Sequence, residues 1–181
     1  WGWAKKYMAY APGSAWDGYF CWQCRPDGTK LGGSNASDGE AYFVTALFLA
    51  AERWGESRYA DEANAILTKD GERTGVYNLY NKENGLITFV PDRMGHGFTD
   101  PSYQLPAFLD KWAQVASADR PFWERAATEA RWHLIASAHP ETGLYPDYSE
   151  YDGRAYRWPH AGYDTSIYMY DAIRCAMNVG M

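Results

Sequence analysis

The chain has 181 residues, a formal net charge of −6 and an aromatic content of 17%, with nine Trp and fifteen Tyr. Because the chain is acidic and its basic residues are spread singly, we expect neither nucleic acid nor an anionic membrane surface as a partner. The length is sufficient for one domain, residues 1–181, which we expect to bind an uncharged ligand and to be a monomer when complete.

The N-terminal part of the chain contains a short helical pattern and a Cys-x-x-Cys motif. Residues 3–8 indicate the end of a helix. Cys21 and Cys24 have the spacing of a redox pair, but no second pair that would complete a zinc site accompanies them. We interpret both, together with Cys175, as free thiols, which favours a reducing compartment.

Residues 37–54 carry the strongest helix signal. Ser37 followed three residues later by Glu40 is a capping box, apolar residues recur at helical spacing, and Gly55 is a stop signal. Asp38 and Glu40 therefore lie on the first turn of the predicted helix, beside aromatic residues. Two acids among aromatic rings are typical of a sugar-cleaving site, although a single acid at a helix start is more often only a cap.

Two further segments repeat this pattern at intervals of about 60 to 65 residues. They are residues 100–116 and 165–180, and more amphipathic helices are predicted between the segments at 58–69 and 119–138. A repeat of this length predicts helical hairpins stacked on one another, with the less polar helices inside. We expect an α/α toroid, with a straight solenoid as the alternative.

A loop with a glycine turn precedes each of the less polar helices, at Gly18, Gly85 and Gly143. These loops are longer than usual helix connections and rich in Trp, Tyr, Asp and His, as functional loops are. In a toroid they would gather at one mouth. We expect that geometry to bring together four acids, namely Asp38, Asp100, Asp164 and Asp171.

Hydrolysis of a glycosidic bond needs two carboxyl groups, one protonated and one ionised. We select Asp171 for the ionised role, because it is predicted to lie two turns into an apolar helix with Arg174 at i+3. A structural Asp–Arg pair is the alternative. Asp100, followed by Pro101, is most simply a helix cap. The four His residues lack metal-ligand spacing, so neither a metal nor another cofactor is predicted.

Six motifs in series resemble glycoside hydrolase family 8, and within it the xylan-active branch that includes reducing-end xylose-releasing exo-oligoxylanases. The resemblance covers nearly the whole chain and implies an all-α fold, about half of an (α/α)6 barrel. It also implies hydrolysis of β-1,4-xylosidic bonds with inversion. The motifs are residues 18–22, 26–30, 37–43, 100–106, 139–144 and 171–174, whereas residues 157–163 are an insertion-like departure.

The resemblance also implies roles for individual residues. Asp171 matches the general base, and Asp38 matches the acid that positions the sugar and holds its distorted ring. The general acid of the family is a Glu on an earlier inner helix, to which no residue here corresponds. We therefore expect a catalytic-domain fragment, truncated at both ends and inactive alone. The predicted substrate-binding residues are Trp22, Tyr103, Arg174 and Glu40.

The same residues are consistent with three other functions. A β-1,4-glucan-cleaving endoglucanase of the same family is one, and a non-catalytic sugar-binding module is another. A sugar epimerase would need His residues as proton carriers, for which His96 and His160 are the candidates. Exo action and endo action are not distinguished. Trimming of oligosaccharides favours a cytoplasmic enzyme, and attack on polymeric xylan favours a secreted one.

Overall fold

The computed structural model describes residues 1–73 and 75–181, and within these ranges the regular elements are helical, with only isolated β-bridges between loops. The all-α prediction is confirmed. The α-helices are α1 (Gly2–Tyr7), α2 (Ser37–Trp54), α3 (Ser57–Glu72), α4 (Pro106–Val115), α5 (Arg120–Ser137) and α6 (Arg174–Gly180). Short 3-10 helices span Gly75–Tyr77, Pro101–Tyr103 and Tyr170–Ile173.

Two helical hairpins form the body of the molecule. The helices α2 and α3 pack along each other and are separated by only two residues, and α4 and α5 form the second pair. Gly55 ends α2 in the left-handed conformation at φ 67°, as the sequence predicts. The helix α2 also packs against α4, where the buried Trp112 donates its indole N–H to Thr45 Oγ1 at 2.9 Å. The repeat of helical hairpins is confirmed.

Two of the three glycine loops, those at Gly85 and Gly143, share a turn with the same hydrogen bonds. In residues 81–86, the N–H of Asn81 donates to the Leu86 carbonyl and the N–H of Gly85 donates to the Asn81 carbonyl. In residues 139–144, the N–H of His139 donates to the Leu144 carbonyl and the N–H of Gly143 donates to the His139 carbonyl. All four distances are 2.8 Å. The first side chain accepts hydrogen bonds from the third and fourth amides in both turns. The fifth residues, Gly85 and Gly143, have φ of 75° and 69°, which glycine adopts without strain.

The predicted helix at residues 165–180 is wrong in its first part. The carbonyls of Thr165 and Ile167 accept the backbone N–H groups of Tyr148 and Asp147, both at 2.9 Å. This pairing holds the segment extended, so helical structure begins only at the 3-10 helix Tyr170–Ile173. The predicted helix at 100–116 is likewise divided into the 3-10 helix Pro101–Tyr103 and α4.

The start of α2 differs from the predicted capping box. Ala36 is the N-cap residue, and Ser37 lies one residue inside the helix with its Oγ 3.3 Å from Thr88 Oγ1. Glu40 does not reach back to the helix start but accepts hydrogen bonds from neighbouring loops. Across the described residues, no helix combines the length and the hydropathy that a membrane crossing requires.

Candidate active site

A cavity of about 310 Å³ lies at the start of α2, beneath the loop that carries Trp22. Five of the six site residues predicted from the sequence line it, and the sixth, Arg174, lies beside two of them. Loop residues 20–22, the start of α2 and the two 3-10 helices at residues 101–103 and 170–173 therefore meet at this cavity. The loops at Gly85 and Gly143 do not line it, so the prediction that all three glycine loops gather at this mouth is wrong for those two. The lining residues are Met8, Phe20, Cys21, Trp22, Ala36, Asp38, Gly39, Glu40, Phe43, Tyr103 and Asp171.

Arg174 joins three segments that are far apart in the sequence. Its Nη1 lies 2.8 Å from Asp38 Oδ2 on α2, and its Nη2 lies 2.9 Å from Asp171 Oδ2. The same Nη2 donates to Ser102 Oγ at 3.0 Å, in the 3-10 helix Pro101–Tyr103. Because a guanidinium stays protonated and its donors are fixed in one plane, it holds both carboxylates in a defined geometry. The predicted pairing of Asp171 with Arg174 is confirmed.

The two carboxylates bound by Arg174 differ in their exposure to solvent. The side chain of Asp38 is 13% exposed and that of Asp171 is 55% exposed. Burial raises the pKa of Asp38 above its ordinary value, although the Arg174 guanidinium opposes this shift. Asp171 is thus the acid that bulk water reaches, whereas Asp38 is largely enclosed in the cavity wall.

Asp171 follows a strained residue. Tyr170 has a φ of 40°, in the left-handed region that costs a residue with a Cβ about 1–2 kcal/mol. Strain of this kind persists only where surrounding contacts enforce it, and it concentrates at functional sites. The prediction that Asp171 lies two turns into a helix is wrong, because Asp171 lies in the first turn of the 3-10 helix Tyr170–Ile173.

Two aromatic side chains border the cavity in different ways. The indole of Trp22 is more than half exposed and packs so closely on Gly32 that a Cβ there would lie 2.1 Å from Nε1. Tyr103 is buried, with its ring stacked 5.8 Å from Phe89 and 5.5 Å from the Arg174 guanidinium. Burial raises the pKa of Tyr103 well above its ordinary value, so its hydroxyl keeps its proton.

Glu40 lies in the cavity wall but its carboxyl group is engaged by the protein. Oε1 accepts the backbone N–H of Phe20 at 2.7 Å, and Oε2 accepts Asn35 Nδ2 at 2.9 Å. Complete burial raises the pKa of Glu40 to about 8. These bonds fix the segments on both sides of Trp22 to the start of α2. The role of Glu40 in substrate binding stays a prediction.

Three further acids, Asp100, Asp164 and Asp147, have different surroundings. Asp100 is fully buried and caps its 3-10 helix, as predicted, by accepting the Ser102 N–H at 2.7 Å. Asp164 does not line the cavity and instead pairs with Arg157, so its predicted place in the cluster is wrong. Asp147 is buried beside Asp171, and no sequence pattern singled it out.

Histidines contribute no side chain to the lining of this cavity. His133 is buried, as predicted, with Nε2 2.9 Å from Ser149 Oγ, and burial lowers its pKa to about 4. His96 and His160, the candidates for epimerase chemistry, lie elsewhere. In the part of the chain that the structure describes, no group of three His, Cys, Asp or Glu side chains is suited to hold a metal ion.

Comparisons with known proteins show the family of the chain. The sequence profile described as "Glycosyl hydrolases family 8" matches residues 1–181. The reducing end xylose-releasing exo-oligoxylanase of Halalkalibacterium halodurans is 38% identical over 190 residues, covering 100% of this chain and 47% of that protein. The reducing-end xylose-releasing exo-oligoxylanase Rex8A of Paenibacillus barcinonensis is 40% identical, covering 100% and 48%. More distant is an endoglucanase of Salmonella typhi, at 28% identity over 83% of this chain.

Solved structures give the same assignment. The structure of Rex8A from Paenibacillus barcinonensis complexed with xylose superposes with a TM-score of 0.89 at 39% identity, over 99% of this chain and 48% of that one. The chain thus spans about half the length of the curated relatives it matches. Its helical hairpins correspond to about half of an (α/α)6 barrel. On the family profile, the identity and the fold together, the chain belongs to glycosyl hydrolase family 8.

Proposed function

We propose that residues 1–181 belong to the catalytic domain of an inverting glycoside hydrolase that cleaves β-1,4-xylosidic bonds in xylo-oligosaccharides or xylan. One observation carries this proposal: a single guanidinium, Arg174, holds an enclosed carboxylate and a solvent-open carboxylate beneath an aromatic-bordered cavity. The xylanolytic names of the relatives that match the whole chain support the choice of substrate.

Asp171 is the proposed general base. Inversion requires a carboxylate that can remove a proton from a water molecule as this water attacks the anomeric carbon. The 55% exposure of the Asp171 side chain admits water, and the Arg174 guanidinium, 2.9 Å from Asp171 Oδ2, fixes the position of the carboxylate. As the new C–O bond forms, the water proton passes to Asp171 and the bond to the leaving sugar breaks. The leaving oxygen takes a proton from a general acid, which we assign to a Glu outside these residues.

Asp38 and Trp22 are proposed to hold the sugar at the point of cleavage. The Asp38 carboxylate is fixed by Arg174 at the cavity floor, where it can accept hydrogen bonds from sugar hydroxyls. The exposed indole of Trp22 offers a flat face on which an uncharged pyranose ring can stack. Tyr103, held as a neutral phenol, can donate a hydrogen bond to the attacking water.

The test uses the complete open reading frame that contains these residues, with xylohexaose and cellohexaose as substrates. Proton NMR of the first products should show the α-anomer for the wild-type protein. Asp171→Asn should lower kcat by about 10²- to 10⁴-fold, the usual contribution of a general base. Asp152→Asn is the matched control, because Asp152 is an exposed acid paired with Arg154, and its kcat should equal that of the wild type.

Each other outcome selects a different function. Preferential cleavage of cellohexaose would favour the glucanase, to which the 28% identical endoglucanases point. Turnover that survives Asp171→Asn would contradict the assignment of the base. Binding of xylohexaose without any cleavage by the folded protein would support a sugar-binding module instead.

A further inference from the structure

The buried acid Asp147 is not used by the mechanism above, yet it lies beside the proposed base. Its side chain is 1% exposed, and its backbone N–H donates to the Ile167 carbonyl at 2.9 Å. A buried carboxyl group is unfavourable unless it holds a partner, and an apolar side chain would be more easily accommodated here. The partners that the Asp147 carboxyl group contacts therefore indicate its role.

The partner of Asp147 is Tyr163, which lies in the insertion-like segment 157–163. The Tyr163 hydroxyl donates to Asp147 Oδ2 at 2.9 Å and lies 3.4 Å from the Tyr148 hydroxyl. Burial raises the pKa of Asp147, while the Tyr163 hydrogen bond and the nearby backbone amide of Asp171 favour its charged form. Asp147 thus faces both the tyrosine and the backbone of the proposed base.

Tyr163 in turn contacts the strained residue before Asp171. Its ring lies edge-on to the Tyr170 ring, with the centroids 4.9 Å apart and the planes at 73°. Tyr170 is the residue with a φ of 40°, a conformation that must be enforced by its surroundings. A continuous series of contacts therefore runs from the buried carboxyl through two tyrosine rings to the turn that presents Asp171.

We propose that Asp147 is a positioning residue for Asp171, acting through Tyr163 and Tyr170. This inference rests on the proposed function, in which Asp171 is the base. The Asp147 carboxyl fixes the Tyr163 hydroxyl, the Tyr163 ring holds Tyr170 in its left-handed conformation, and Asp171 is thereby aimed into the cavity. Without this clamp the turn relaxes and the Asp171 carboxylate moves away from the attacking water.

The experiment compares Asp147→Ala, Asp147→Asn and Tyr163→Phe in the complete protein, with xylohexaose as substrate. Displacement of a catalytic group by about 1 Å lowers turnover by up to about 100-fold, so Asp147→Ala and Tyr163→Phe should lower kcat by about 10- to 100-fold. KM should stay within about twofold, because the cavity floor and Trp22 are unchanged. Asp147→Asn should retain more activity than Asp147→Ala, because its amide oxygen still accepts the Tyr163 hydroxyl.

A double variant and a matched control test the series of contacts. Asp147→Ala combined with Tyr163→Phe should be no slower than the slower single variant, because both changes break one series. Tyr151→Phe is the control, since the Tyr151 hydroxyl donates to the His96 carbonyl at 2.7 Å and has no link to Tyr170. Its kcat should equal that of the wild type even if its melting temperature falls.

Three results would overturn the inference: unchanged kcat in Tyr163→Phe, an equal loss in Tyr151→Phe, or losses that multiply in the double variant. Should Asp147→Ala fail to fold, Tyr163→Phe, which removes one oxygen atom, still decides the question. Asp171→Asn measured in parallel separates the two proposals. If Asp171→Asn is inactive while Tyr163→Phe is fully active, only the role of Asp147 is lost, and if Asp171→Asn is active, the proposed function itself fails.

Discussion

The two 3-10 helices Pro101–Tyr103 and Tyr170–Ile173 pack against each other, and each leads into a helical segment of the repeat. An acid lies near the start of each, as the N-cap residue Asp100 and as the second helical residue Asp171, and the two acids have opposite environments. Asp100 is fully buried and its carboxyl caps the Ser102 N–H. Asp171 is exposed and paired with Arg174. Asp100 therefore stabilises its own 3-10 helix, whereas Asp171 is open to solvent.

The backbone at the two helix starts also differs. Asp100, the N-cap residue of the first 3-10 helix, is extended at φ −103°, whereas Tyr170, the first residue of the second, has a φ of 40°. The backbone strain thus lies in the 3-10 helix Tyr170–Ile173, whose acid faces the cavity. This is expected where surrounding contacts hold a functional group in place. Arg174 connects the two 3-10 helices, since it binds Ser102 Oγ in the first and Asp171 in the second.

Of the substitutions predicted here, removal of the Arg174 guanidinium should lower the free energy of unfolding most. Arg174→Met leaves the enclosed Asp38 carboxylate without its cation. Because the Arg174 side chain is 27% exposed, the pair is only partly buried, and its loss should lower the free energy of unfolding by about 1.5–3 kcal/mol. Arg154→Met is the matched control, because the exposed Arg154–Asp152 pair contributes at most about 1 kcal/mol. Urea unfolding of the complete protein measures both. Equal losses in the two variants would show that the turns pack without help from Arg174.

The two acids should differ in how they couple stability to pH. Burial raises the pKa of Asp100 well above its unfolded value, so its contribution to stability is present below the ordinary carboxyl pKa and is lost as the pH rises. Asp100→Asn keeps the oxygen that caps Ser102 and removes this dependence. The variant should therefore gain stability relative to the wild type as the pH rises from 4 to about 8.

Tyr151→Phe is the control for this measurement, because burial raises the pKa of Tyr151 above its ordinary value and the substitution removes no group that titrates between about pH 4 and 8. Its stability should therefore differ from that of the wild type by a constant amount across this range. Thermal unfolding at a series of pH values gives all three curves. A constant difference between Asp100→Asn and the wild type across the series would contradict the buried, proton-binding role of Asp100.

The smallest predicted effect is a difference in melting temperature between alanine variants of the two glycine turns, which precede the two 3-10 helices in the sequence. Alanine at Gly85 or Gly143 must adopt a left-handed φ, which costs about 1 kcal/mol at either site. At Gly85 the new Cβ would also lie 3.3 Å from the Ala126 Cα on α5, whereas it would meet nothing within 4 Å at Gly143. Gly85→Ala should therefore lower the melting temperature more than Gly143→Ala. Equal shifts would mean that α5 moves freely away from the first turn.

Local signals in the sequence predicted much of the fold. Apolar spacing and the stop at Gly55 predicted the end of α2 at Trp54, and Asp119 with Pro121 predicted the start of α5. The i+3 spacing of Asp171 and Arg174 predicted an ion pair that the structure contains. These features depend on residues within one or two turns of each other, for which periodicity and caps carry the information.

Long-range packing decided the rest. Glu40 turned away from the predicted capping box because Phe20 and Asn35, brought to it by the loop, offer buried donors. The segment at 165–167 is extended because it pairs with residues 147–148, and this moves Asp171 from a helix interior to a strained turn. Burial, which gives Asp100 and Asp171 their different roles, depends on neighbours distant in the chain. The sequence by itself therefore determined which side chains are available for chemistry, and only the tertiary structure decided which of them reach the cavity.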